Sequence, residues 1–167
     1  MRVRGSYEAI DEVEKRLKDY DHNPHFWRVF EADRTDDVSD AGDADMVTEF
    51  SGTCAWSVFS CMCKGDGTYA NDHDGENTSL QETALELGCD IEVYSEEPGI
   101  GFAEHYLYTG DGKTAIEEER EYEEFFLDDS TFEEMDEQYG LTEKGLSESD
   151  FEDGVASIGG FEWIWTI

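Results

Sequence analysis

Positive charge is scarce in this chain. Eleven lysines and arginines face 44 aspartates and glutamates, a formal net charge of -33 over 167 residues. A field of that sign repels nucleic acid and anionic lipid and attracts basic surfaces, which argues against DNA or a membrane as a direct partner. Long apolar runs are missing as well. No stretch approaches the roughly 18 residues of a membrane-spanning helix, and the opening MRVRGSYEAIDEVEKRL lacks a signal-peptide apolar core. The expected location is therefore the cytoplasm. The four cysteines, Cys54, Cys61, Cys63 and Cys89, should stay reduced there, and their spacing fits no small disulfide scaffold.

Intact catalytic motifs are lacking too. Gly112-Lys113-Thr114 ends like a phosphate-binding loop, but Leu107 stands where that loop needs glycine. Gly99 and Gly101 begin a dinucleotide fingerprint that breaks at Glu104. Structural zinc sites pair cysteines with two to four residues between them, whereas Cys61-Met62-Cys63 has one. His22, His25, His73 and His105 are scattered, no segment has the acid spacing of a calcium loop, and there is no Gly-x-Ser-x-Gly elbow. The expectation is a protein that is not an enzyme, with no catalytic residues, no organic cofactor and no tightly held metal.

What is present points to a folded chain. Hydrophobic residues make up 38% and aromatics 13%, too much for a disordered acidic tail, and the length fits one domain with a sizeable core. The charge is uneven. Residues 1–30 hold six bases and six acids, while residues 31–167 hold 38 acids against five bases.

Residues 90–113 are the organising stretch. Ile91 and Val93 alternate with Glu92 and Tyr94, Glu97-Pro98-Gly99 punctuates, and residues 102–108 are again aromatic and apolar, which spells an antiparallel hairpin. Before it, Leu80, Ala84 and Leu87 form a helical stripe, with Ser79 and Glu82 as a capping box and Gly88 as the stop. Residues 1–5 suit a first strand, 6–20 a helix with Ile10, Val13 and Leu17 inward, and 26–30 a second strand. Residues 33–45, with six aspartates, read as a solvated loop, and 46–62 as a strand in which Cys54, Trp56 and Val58 share a face. Lys64 to Asn77 reads as a turn-rich surface loop.

The fold class expected from this order is α+β: a ferredoxin-like split β-α-β sheet with one extra strand and two helices on one face. Residues 1–125 form its core, and an acidic C-terminal extension begins near Phe126. Trp56, Leu80, Ala84, Ile91 and Val93 join Ile10, Val13 and Leu17 in the expected core. Residues 117–124, six glutamates interrupted by Arg120 and Tyr122, allow either an edge strand or a helix. Ser130 with Glu133 predicts a short helix over 131–139, closed by Gly140. The tail, Phe161-Glu162-Trp163-Ile164-Trp165-Thr166-Ile167, alternates and is expected to dock as a terminal strand or belt.

Phe50, Thr53, Trp56 and Ser57, the Leu80 helix, and Ile91-Glu92-Val93-Tyr94-Ser95-Glu96-Glu97 with Gly101-Phe102 resemble the YubB-like ferredoxin-fold proteins of plasmids and phages. The likeness spans about residues 50–112 and implies the fold; it carries no catalytic residue across. Val58 and Phe59 stand where that family has prolines, its Trp-Gly-Thr-Lys-Trp segment has no counterpart, and residues 61–78 look inserted.

Charge remains to be explained. Overall the chain resembles acidic DNA-mimic inhibitors of the anti-CRISPR and anti-restriction type. The expected function is that of a nucleic-acid mimic that blocks the basic groove of a nucleic-acid-binding protein such as a CRISPR effector, restriction enzyme or nuclease toxin. An immunity protein against a basic nuclease toxin, or a salt-adapted acidic domain, are the competing readings. The expected partner-binding residues are Glu117, Glu118, Glu119, Glu121, Glu123, Glu124, Asp128, Asp129, Glu133, Glu134, Asp136 and Glu137, where acids are densest beside aromatics.

Overall fold

The computed structural model describes residues 1–18, 26, 28–37, 46–65, 78–127, 130–151 and 153–167. His22, His25, Trp27, His73, Asp128 and Asp129, and with them most of the two expected loops, lie outside the described residues. Among those described, the chain is mixed α/β, with a seven-stranded antiparallel sheet and four α-helices.

Local signals set most of the elements. Strand β1 (Arg2–Gly5) leads into α1 (Tyr7–Lys18), whose Ala9 N donates to Ser6 Oγ at 3.2 Å. Ile10, Val13 and Leu17 face inward and are buried, each worth about 1.5–3 kcal/mol of transfer free energy. Strands β2 (Val29–Asp37) and β3 (Met46–Cys54) follow, then a short α2 (Val58–Met62) and α3 (Leu80–Leu87). Helix α3 has the reciprocal Ser79–Glu82 capping box and ends at Gly88 with φ 63°, a left-handed turn that favours glycine. Strands β4 (Asp90–Glu97) and β5 (Phe102–Tyr108) form the expected hairpin, with Ile91 opposite Tyr108 and Glu97 opposite Phe102. Then come β6 (Thr114–Phe126), α4 (Phe132–Tyr139), a 3-10 turn (Glu148–Asp150) and β7 (Val155–Gly159).

The strands lie in the order β2-β3-β1-β4-β5-β6-β7. One sheet face carries Val3, Ile91, Val93, Tyr106 and Tyr108, and these join the inward residues of α1, α2 and α3 in the main core. Arg16 of α1 ties two helices together, its Nη1 donating to Thr83 Oγ1 at 3.3 Å and to Glu86 Oε2 at 3.0 Å. The opposite face is covered by residues 161–167. Strand β1 has only four residues, whereas β3 and β4 run on past its start. A slot therefore opens between β3 and β4 beyond Met1.

Several expectations change. The sheet has seven strands where five were expected. Residues 58–62 are helix, not strand: Trp56 takes a left-handed turn (φ 60°), Ser57 caps the helix by accepting from Ser60 N, and the β3 strand stops at Cys54. That turn also throws Trp56 outward, so it is 41% exposed, not core, and lies under the Arg28 guanidinium at 4.6 Å. Residues 33–37, expected in a loop, extend β2, pairing with β3 through one irregular step between Arg34 and Asp36. Helix α4 is capped one residue later than expected, by Thr131 with Glu134; this frame sets Phe132 against Phe151 and Tyr139 against Phe125. Residues 117–124 are strand: β5 pairs along residues 114–121 and β7, on the other side, along residues 122–126, so β6 is an edge over its first half among the described residues and is flanked on its second side only from Glu121 onward.

Candidate functional site

Glutamate favours helices, yet thirteen residues of β6 are extended because β5 and then β7 supply a ladder that outweighs local preference. Strand alternation then divides the acids. Glu117, Glu119, Glu121 and Glu123 project from one face; Glu118 and Glu124 project from the other, with Arg120 between them. Successive carboxylates on one face stand ~6.7 Å apart, so the four span ~20 Å. One strand of duplex DNA carries a charge every ~3.4 Å of axis. The row alone thus has about half that linear density.

The predicted residues are not equivalent. Glu118 pairs with Arg120 (3.2 Å), Glu123 with Lys144, and Glu124 accepts from the Tyr122 hydroxyl (3.1 Å). Glu134 and Asp136 serve the chain itself. Glu134 accepts from Thr131 N (2.9 Å) and Asp136 from Thr142 N (2.6 Å), and these backbone donors hold both carboxyls below the ordinary range. Glu117, Glu119 and Glu121 on the strand, and Glu133 and Glu137 on α4, are exposed and make no ion pair among the described residues. Helix α4 adjoins the Glu123 end of the row through Phe125–Tyr139 (6.0 Å) and Lys144. The structure therefore brings together a row of three unpaired glutamates and a flanking helix.

Two further glutamates matter that charge density did not single out, since both are buried in the sheet. Glu104, on the helix-covered face, accepts from Val58 N (2.9 Å), Phe59 N (3.2 Å), Ser95 Oγ (2.7 Å) and the Tyr106 hydroxyl (3.2 Å). It thus holds the start of α2. Burial pushes its carboxyl above the ordinary range, against the pull of those donors. Glu92, on the opposite face, accepts from Thr166 N (2.7 Å) and Ile167 N (3.0 Å) through one oxygen and meets His105 Nε2 (2.8 Å) through the other. Tyr94 stacks between His105 (3.9 Å) and Trp163 (5.9 Å) and donates to Ile164 O (2.8 Å). The tail docks as a belt with no strand pairing among the described residues. A signal for Glu104 was present: Phe102, Glu104 and Tyr106 share one face, so an acid sits between two aromatics.

Cys61, Cys63 and Cys89 are buried and Cys54 is half-buried, all as free thiols. Tyr108 donates its hydroxyl to Cys63 Sγ at 3.1 Å. Among the described residues no three His, Cys, Asp or Glu side chains cluster to hold a metal ion, and no helix is long and apolar enough to cross a membrane. Comparison with protein-family models, curated proteins and solved structures finds no match to this chain.

Proposed function

We propose that this chain is an acidic inhibitor that occupies the basic groove of a nucleic-acid-binding protein in place of nucleic acid, with a CRISPR effector or restriction enzyme as the kind of target. The observation that carries this reading is the β6 row: Glu117, Glu119 and Glu121 are exposed and unpaired on a strand whose backbone is fixed by β5. A single exposed ion pair is worth about 0–1 kcal/mol, so one such carboxylate adds little. A row held at fixed spacing loses little freedom on docking and presents its charges together. Long-range attraction then speeds encounter with a basic groove.

The strand order supports the finer fold reading. The run β1-α1-β2-β3-α2-α3-β4 with order β2-β3-β1-β4 is what a ferredoxin-like split β-α-β plan would give once the short α2 is set aside, with β5 to β7 as additions beyond β4. That arrangement is what kinship to the YubB-like proteins would require. Salt adaptation has its own support, since exposed acids also lie away from β6, at Glu143, Glu148, Asp150 and Glu162.

The test is capture of partners from a host lysate, followed by competition with duplex DNA at two salt concentrations. The expected result is a nucleic-acid-binding protein that is released by DNA and held more weakly as salt rises. Capture of one toxin that DNA fails to displace favours an immunity protein. Absence of a partner, together with unfolding at low salt, favours salt adaptation.

A further inference from the structure

The slot between β3 and β4 is a gap in the middle of a sheet. At Val3 the two strands flank β1, with Thr48 on one side and Ile91 on the other, so they stand two strand spacings apart, ~9.5 Å. Beyond Met1 that width holds no strand among the described residues, and a cavity of about 720 Å³ occupies the space, within the range of ligand-sized pockets.

Backbone orientation makes the slot specific. Met1 and Phe50 exchange both of their bonds, Met1 N donating to Phe50 O (2.8 Å) and Phe50 N to Met1 O (2.7 Å). Phe50 therefore faces β1, and ladder alternation turns Gly52 the same way. Arg2 lies opposite Glu92, so on β4 Tyr94 and Glu96 turn their backbone toward the slot. No backbone bond among the described residues takes up these groups on that side. Gly52 and Glu96 are exposed, so these unpaired edges are open to pairing with a further strand.

The walls select the occupant. On the helix-covered face lie Val58 and Met62; on the other lie Trp163, Trp165 and the Glu96 carboxylate. Four glutamates line the slot; among the described residues Arg2 already pairs with Glu49, which leaves Glu31, Glu96 and Glu97 without an ion pair, and no lysine or arginine lines it. Aromatic rings beside carboxylates favour a cation, and this tail face already holds Arg2 over Trp165 at 4.9 Å.

We propose that this slot binds an extended segment of a partner protein, about four residues long, in which apolar and arginine or lysine side chains alternate. It enters as a strand antiparallel to β3 and β4 and in line with β1, its apolar side chains toward Val58 and Met62 and its basic ones toward Glu96 and Trp163. Main-chain bonds supply the affinity and the two walls the selectivity. This site is separate from the β6 row and stands or falls without it.

The experiment uses the full chain with a capped Val-Arg-Val-Arg-Val peptide, read by titration calorimetry and by amide hydrogen exchange. Saturable binding is expected, with new protection at Gly52, Tyr94 and Glu96. A Val-Glu-Val-Glu-Val peptide should bind at least tenfold more weakly, as should the basic peptide N-methylated on its slot-facing amides. Glu96→Lys should weaken the basic peptide about tenfold, and Glu119→Gln should leave it unchanged. Equal binding of the N-methylated peptide, loss on Glu119→Gln with Glu96→Lys silent, or no saturable binding overturns the proposal. Protection of the three amides in the free protein does so as well, because the slot would then be filled by the chain itself.

Discussion

Strands β5 and β6 are neighbours in one ladder and differ in almost everything else. In β5 only Phe102 escapes full burial; in β6 only Tyr122 and Phe125 attain it. Pairing and burial are thus separable. β5 is covered by helices on one face and by the aromatic tail on the other, so its two polar side chains in the interior, Glu104 and His105, must be bonded, and they are. β6 gains its order from backbone bonds and two inward rings, which leaves its other side chains free to carry charge. The same residue type therefore has opposite meanings one strand apart: Glu104 stands directly opposite Glu119, one tied to four donors and the other in water.

The largest effect expected from this contrast is at Glu104. Glu104→Ala leaves Val58 N, Phe59 N and two hydroxyls without their acceptor, and urea unfolding should show a loss of about 3–5 kcal/mol. Glu104→Gln should cost less, and the difference should depend on pH. The folded carboxyl lies above its ordinary value, so the folded state holds this proton to higher pH than the unfolded chain does. That contribution is complete below the ordinary carboxylate range near pH ~4.3 and is lost as pH rises through the folded value. Wild type should therefore lose its advantage over Glu104→Gln as pH increases from about 4; an advantage that grows instead would mean the four donors outweigh burial.

A smaller effect is expected at Glu92, which fastens the tail to the other face. Glu92→Gln keeps one acceptor oxygen but sets an amide group against His105 or the tail N–H groups, a loss of about 2 kcal/mol. Tryptophan near-ultraviolet circular dichroism should fall with it as Trp163 leaves Tyr94. A stability loss with an unchanged aromatic signal would separate the tail from the sheet. Smallest of all is Glu119→Gln, expected to change stability by no more than ~0.5 kcal/mol. A loss above about 1 kcal/mol there would erase the distinction between the two strands.

Elements defined by near neighbours were legible in the sequence. The α3 capping box, its Gly88 stop and the β4–β5 hairpin are all written within a few residues of where they act. Residues 58–62 were not, because the acceptor that holds the first turn of α2 is Glu104, more than forty positions away. Six glutamates in β6 gave helix and strand equal claim until partners on both sides decided it. For the candidate site, sequence density located the acids but could not divide them. Alternation sent Glu118 and Glu124 to the second face, and capping engaged Glu134 and Asp136 within the chain.

The belt has a consequence for the order of folding. Glu97 and Phe102 meet across five positions, whereas Ile167 reaches Glu92 across 75. By chain statistics the longer closure costs about 2 kcal/mol more, and the belt has no surface to lie on until β4 and β5 are paired. The hairpin therefore precedes the tail, and Glu92 stays hydrated through most of the pathway, surrendering its water only when Thr166 and Ile167 arrive. Until then that carboxylate has His105 of β5 as its neighbour in the sheet.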